Sequence, residues 1–134
     1  DLDGNGIDEI IVDFGPQYGL WVRLNQTSWV GLHGVSPQRM VVGNLDADAR
    51  KDLVVDFGSQ YGIWVWKNNS TWQLVHGVTA EALATADLDR NGTDDLIVDF
   101  GPRYGLWAWK NGTTWAALHG SSPRKFIGVD VDGQ

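Results

Sequence analysis

Asp1-Leu2-Asp3-Gly4-Asn5-Gly6-Ile7-Asp8-Glu9-Ile10 returns as Asn44-Leu45-Asp46-Ala47-Asp48-Ala49-Arg50-Lys51-Asp52-Leu53. It returns again as Asp87-Leu88-Asp89-Arg90-Asn91-Gly92-Thr93-Asp94-Asp95-Leu96, and a fourth copy begins at Asp130. The copies start 43 residues apart. A fixed period of this size marks a repeat architecture, in which each unit buries its apolar faces by stacking on its neighbours.

Within the first repeat the acidic stretch leads into a β-branched run, Glu9 to Gly15, and Pro16 and Gly19 punctuate a turn. Leu20 to Leu24, Ser28 to His33 and Arg39 to Asn44 follow as strand-forming segments separated by polar or Pro/Gly breaks. The second repeat matches at 53–57, 62–67, 71–76 and 82–86, the third at 96–100, 105–110, 114–119 and 125–129. The Ala-rich stretch Thr79 to Ala84 has helix propensity. Its counterparts carry Pro37 and Pro123, so it reads as a turn followed by a strand. Four short strands per repeat predict an all-β fold, a β-propeller of four-stranded blades with three blades per chain. The repeats divide the chain as 1–43, 44–86 and 87–129, with 130–134 opening a fourth acidic loop. A seven-stranded sandwich is the rival all-β architecture, and it leaves the strict period unexplained.

Composition narrows the function. The chain has 134 residues, 43% of them apolar, which is enough for a core. It has no cysteine, so disulfides and thiol chemistry are excluded. The net charge of −7 opposes binding to nucleic acid or an anionic membrane. No apolar run approaches the roughly 20 residues that cross a bilayer. The chain opens inside one copy of the motif and stops inside another, as expected of a piece of a longer repeat array or of an engineered chain.

The acidic stretch has the donor set of a hard divalent cation. Calcium takes 6–8 oxygens at about 2.3–2.6 Å. Asp1, Asp3, Asn5, the Ile7 carbonyl and Glu9 supply oxygens at alternate positions, and glycine permits the tight bend. Asp87, Asp89, Asn91, the Thr93 carbonyl and Asp95 repeat the set. The second copy offers Asn44, Asp46, Asp48, the Arg50 carbonyl and Asp52, and it replaces both glycines with Ala47 and Ala49. Weaker binding is expected there, or a strained turn at Ala49. Asp130 and Asp132 begin the fourth set. An EF-hand is excluded, because position 12 is Val12, Val55 or Val98 where a glutamate is required. Turns that bind nothing are the plain alternative.

These residues resemble the FG-GAP/VCBS repeat, the blade unit of integrin-α-type propellers. The resemblance rests on Asp-x-Asp-Gly-Asn-Gly-x-Asp-Glu followed by Ile-Ile-Val-Asp-Phe-Gly-Pro, and it covers the whole chain. "Phe-Gly" falls on Phe14-Gly15, Phe57-Gly58 and Phe100-Gly101, and Ser59 departs from the proline that follows in the other two repeats. The resemblance implies calcium between the first and second strands of each blade. It also implies a secreted or cell-surface location and a non-catalytic adhesion-type role. Tyr18, Trp21, Tyr61, Trp64, Tyr104 and Trp107 recur in register, and so do Trp29, Trp72 and Trp115. Repeated aromatics most often fill the space between blades. The lectins among the family members imply the alternative, a carbohydrate platform. A protein ligand is the other implied partner.

Three blades do not close a ring, since propellers have four or more. A cyclic homo-oligomer is therefore expected, with six blades favoured and nine possible, or else the chain is a fragment of a longer single-chain ring. In this arrangement the segment Lys125 to Val129 supplies the innermost strand that the first blade lacks. His33, His76 and His119 stand one per repeat, and no nucleophile, base and orienting group occur together, so no enzyme is expected. Asp13-Phe14-Gly15 and its copies spell a kinase triplet with none of its companion motifs.

Overall fold

The computed structural model describes residues 1–131. Eleven strands form three antiparallel sheets, with no helix among the described residues. The first sheet has three strands, β1 (Ile10–Asp13), β2 (Leu20–Leu24) and β3 (Ser28–His33), in that order. The second has four, β4 (Arg39–Gly43), β5 (Asp52–Asp56), β6 (Ile63–Lys67) and β7 (Thr71–His76). The third repeats it with β8 (Ala82–Ala86), β9 (Asp95–Asp99), β10 (Leu106–Lys110) and β11 (Thr114–His119). Each sheet runs in sequence order, so every connection is local.

The turns follow from their residues. The hairpins β2–β3, β6–β7 and β10–β11 turn on Asn25-Gln26, Asn68-Asn69 and Asn111-Gly112, all with positive φ. Positive φ at both central residues is the I′ turn, whose twist matches that of the flanking strands. The N–H groups of Thr27, Ser70 and Thr113 close these turns on Leu24, Lys67 and Lys110.

The strand that precedes each acidic loop belongs to the sheet that follows the loop. β4 pairs with β5, and β8 pairs with β9. The first sheet has no such strand before its loop. Lys125 to Val129, expected as a strand, forms none. β4 and β8 each find their partner in the strand beyond the next acidic loop, and no such strand follows 125–129 among the described residues. The segment still runs beside β8, where a Cβ on Gly128 would stand 2.3 Å from the Thr85 carbonyl oxygen. β4 lies against β8 as well, with Thr85 Oγ1 donating to the Val42 carbonyl at 2.8 Å.

The sheets stack through two apolar layers. Leu20 and Val22 of the first sheet meet Leu53, Val55 and Phe57 of the second. Val54, Ile63 and Val65 of the second meet Leu96, Val98 and Trp109 of the third. Alternate side chains of a strand point to opposite faces, so β5 sends Leu53 and Val55 one way and Val54 the other. All five of its residues are therefore buried, whereas its counterpart β1 has a bare outer face. Each fully buried Leu, Val or Ile contributes about 1.5–3 kcal/mol.

Candidate functional site

In the first acidic loop, the carboxylate of Asp1 gathers three backbone N–H groups. Its Oδ1 accepts from Gly4 at 2.6 Å and Asn5 at 3.2 Å, and its Oδ2 accepts from Gly6 at 2.6 Å. Gly4 and Gly6 have φ of 81° and 86°, the left-handed conformation that turns these amides inward. Asn5 Oδ1 accepts from the Ile7 N–H at 2.7 Å. Glu9 Oε2 accepts from the Leu2 N–H at 2.6 Å, while its Oε1 is buried and has no partner. Carboxylate oxygens of Asp1, Asp3 and Glu9 lie within 4.8 Å of one another. Three like charges at this spacing repel unless a cation or protons neutralise them.

The third loop has the same turn, with Arg90 in place of Gly4 and Asp95 in place of Glu9. Asp87 accepts from Asn91 at 3.2 Å and Gly92 at 2.8 Å, and Asn91 Oδ1 accepts from the Thr93 N–H at 2.7 Å. The Gly92 N–H, foremost among these backbone donors, holds the exposed Asp87 carboxyl below its ordinary pKa. Asp95 is one methylene shorter than Glu9. One of its oxygens accepts from Leu88 at 3.2 Å and the other from Asn111 at 3.0 Å.

The second loop departs further. Asn44 Nδ2 donates to the Asp48 carbonyl at 2.7 Å, and its Oδ1 is buried without a partner. Asp48 Oδ1 accepts from the Arg50 N–H at 2.6 Å. Asp52, fully buried, accepts from Leu45 at 3.0 Å and Asn68 at 3.1 Å. Burial raises its pKa, against the lowering pull of these two amides. The strained residue is Ala47, with φ of 66°, and not Ala49 as the glycine spacing suggests. The fourth position is left-handed in every loop, at Gly4, Ala47 and Arg90, whereas the sixth is left-handed only at Gly6 and Gly92. With an amide in place of the first carboxylate, the second loop does not draw in the sixth N–H.

The hairpin turns bring in residues the motif does not contain. Asn5 Nδ2 donates to Asn25 Oδ1, and Asn91 Nδ2 donates to Asn111 Oδ1. Asn68 Nδ2 donates to Asp46 Oδ2 at 2.9 Å, and Asn68 Oδ1 is buried and unpaired. The signal was the same Asn opening all three hairpins. The residue before it is Lys67 or Lys110 in two repeats, and their ammonium groups stand 3.7 Å from Asp46 and 3.4 Å from Asp89. In the first repeat that residue is Leu24, so the first loop has no such ammonium. Asp130 lines a cleft with Asp87, Arg90 and Asp94. Asp132 lies outside the described residues.

The Asp-Phe-Gly triplet fastens the fold. Asp56, fully buried, accepts from the Gly58 N–H at 2.8 Å, Thr79 Oγ1 at 2.7 Å and the Ala80 N–H at 2.8 Å. Asp99 accepts from Gly101 and Ser122, and Asp13 accepts from Gly15 and Ser36. The recurring Tyr and Trp line one slot per repeat. Phe14, Tyr18, Trp21 and Trp29 form the first, and Phe57, Tyr61, Trp64 and Trp72 form the second with His33. Phe100, Tyr104, Trp107 and Trp115 form the third with His76. The indole N–H of Trp21, Trp64 and Trp107 donates to the carbonyl of Tyr18, Tyr61 and Tyr104. Tyr18, Tyr61 and Tyr104 are exposed. Arg23, in the register of Trp66 and Trp109, places its guanidinium 5.6 Å from the Trp29 ring.

No family model, curated protein or solved structure matches the chain.

Proposed function

We propose that the chain is a calcium-binding β-propeller segment with a non-catalytic binding or structural role outside the cell. One observation carries the reading. Among the described residues three buried side-chain atoms lack a hydrogen-bond partner, Glu9 Oε1, Asn44 Oδ1 and Asn68 Oδ1. All three are acceptor oxygens, and all three sit at the acidic loops. Buried acceptors left unpaired cost about 1–3 kcal/mol each, so clustered ones call for a positive partner. Oxygen donors without sulfur or imidazole suit calcium. Asp1, Asp3 and Glu9 would hold the ion in the first loop, with Asn25 adjacent. The ion would supply charge neutralisation and no chemistry. The first loop binds most tightly, since Lys67 and Lys110 already offset charge in the other two. The sheets are the blades, fanned around an axis near β4 and β8, and copies of the chain assemble into a cyclic oligomer, six blades favoured over nine.

Calorimetric titration of chelator-stripped protein with calcium tests this. Saturable binding that is weakened at the first site in Glu9→Gln supports the reading, and absence of binding heat and of any other calcium response refutes it. A second reading, a lectin, is favoured by the repeated slots, where exposed Tyr edges and Trp faces offer stacking surface. Tryptophan fluorescence that stays unchanged across a panel of common sugars would exclude it.

A further inference from the structure

Resting on the propeller reading, we infer that the bare face of the first sheet is a docking surface for the third sheet of a second copy. His119 of one copy seats on Phe14 and Trp29 of the next. The two joints inside the chain show the pattern. At the first, the His33 ring lies 4.4 Å from Phe57 and 5.9 Å from Trp72. At the second, His76 lies 4.9 Å from Phe100 and 5.5 Å from Trp115. In each, the earlier sheet gives the His and the later sheet gives the Phe and Trp.

Both halves of a third such joint stand ready on opposite ends of the chain. Phe14 and Trp29 are set edge to face at 5.5 Å and 61°, matching Phe57 and Trp72 at 5.6 Å and 61°. His119 Nδ1 accepts from the Ser121 N–H at 3.0 Å, as His33 and His76 accept from Val35 and Val78 at 3.1 Å. This fixes the imidazole in the same orientation. Phe14 is 49% exposed where Phe57 is 6% exposed. Leu118 is also exposed, whereas Leu32 and Val75, at the same place in β3 and β7, pack into the joints. The loops carry a matching link. The Lys51 N–H donates to the Asp1 carbonyl, and the Asp94 N–H donates to the Asn44 carbonyl. The next link of this series joins the Asp8 N–H to the Asp87 carbonyl of the neighbouring copy. A surface that repeats its own internal interface recruits its own kind, and because the two halves differ the contact is head-to-tail.

Light scattering on wild type, Phe14→Glu, His119→Glu and their equal mixture tests this, with and without calcium. Both substituted residues are exposed in the single chain, and circular dichroism confirms that each variant folds. The expected result is an oligomeric wild type, two single-chain variants, and a mixture that regains a two-chain species through the one intact joint. A wild type that stays single-chain overturns the inference, and so does a mixture that fails to pair or a single variant that still assembles. If wild type stays single-chain while binding calcium, the joint fails and the calcium reading stands. If assembly follows the pattern with no calcium bound, the reverse holds.

Discussion

Replacing Asp56 with alanine measures how far the Asp-Phe-Gly triplet holds the fold. The carboxylate is inaccessible to solvent and accepts from two backbone N–H groups and the Thr79 hydroxyl. Arg39 adds an ion pair at 3.5 Å. Alanine leaves the amides of Gly58 and Ala80 without an acceptor in a site that water does not reach. Each orphaned donor costs about 1–3 kcal/mol, so a loss of about 4 kcal/mol is expected. For a chain of this size that is a fall of roughly 15 °C in melting temperature. In the His119→Glu background, which stays single-chain, Asp13→Ala removes the same triplet residue, and there Asp13 accepts from Gly15 and Ser36 in an exposed setting. Water replaces the carboxylate there, and the cost stays below about 1 kcal/mol. Urea unfolding followed by circular dichroism compares the two. Equal losses would show that burial of the clamp does not set its worth, and the argument would fail.

Ala47→Gly relieves a left-handed alanine and should raise stability by about 0.5–1 kcal/mol, whereas Ala49→Gly should lower it by a similar amount, since Ala49 is not left-handed. Thermal melts of the two variants give opposite shifts if the assignment of strain is right. Glu9→Gln removes a charged donor from the first loop and should weaken calcium binding about tenfold or more, read by calorimetry. On acidification Asp52 should take up its proton before Asp87, because burial raises the first pKa and the Gly92 N–H lowers the second. The sign follows: stability contributed by Asp87 is present above the ordinary carboxylate pKa and is lost as pH falls through its lowered value. Asp52 favours folding below the ordinary value and loses that contribution as pH rises through its raised one. Carboxyl chemical shifts measured by NMR against pH check the order.

Much of this was legible because period and turn chemistry are local. Asn68-Asn69 and Asn111-Gly112 can reach positive φ, and the strand-forming segments on either side give alternating faces, so every strand but the first followed within a residue, while the first, expected within 9–15, is confined to Ile10–Asp13. The first sheet, expected to lack a strand ahead of its acidic loop, has three strands where the other two have four. What the motif could not reveal depends on reach across space. Glu9 and Asp52 occupy one register, yet a single methylene decides whether the second oxygen stays free or is taken by the Asn68 N–H. Asn25, Asn68 and Asn111 lie 16 to 22 residues from the loop residues they touch. The strain at Ala47 was assigned to Ala49 because glycine spacing marks two candidate positions and only the hydrogen bonds of the first residue distinguish them. The segment 125–129 has strand composition but forms no strand, since a strand needs a partner as well as a sequence.

The acidic loops carry the central claim, and thermal unfolding of chelator-stripped chain across a calcium series tests it most directly. A ligand at 100 times its dissociation constant adds about 2.7 kcal/mol to the folded state, so the melting temperature should climb by several degrees and level off. Melting curves that superimpose with and without calcium would contradict it.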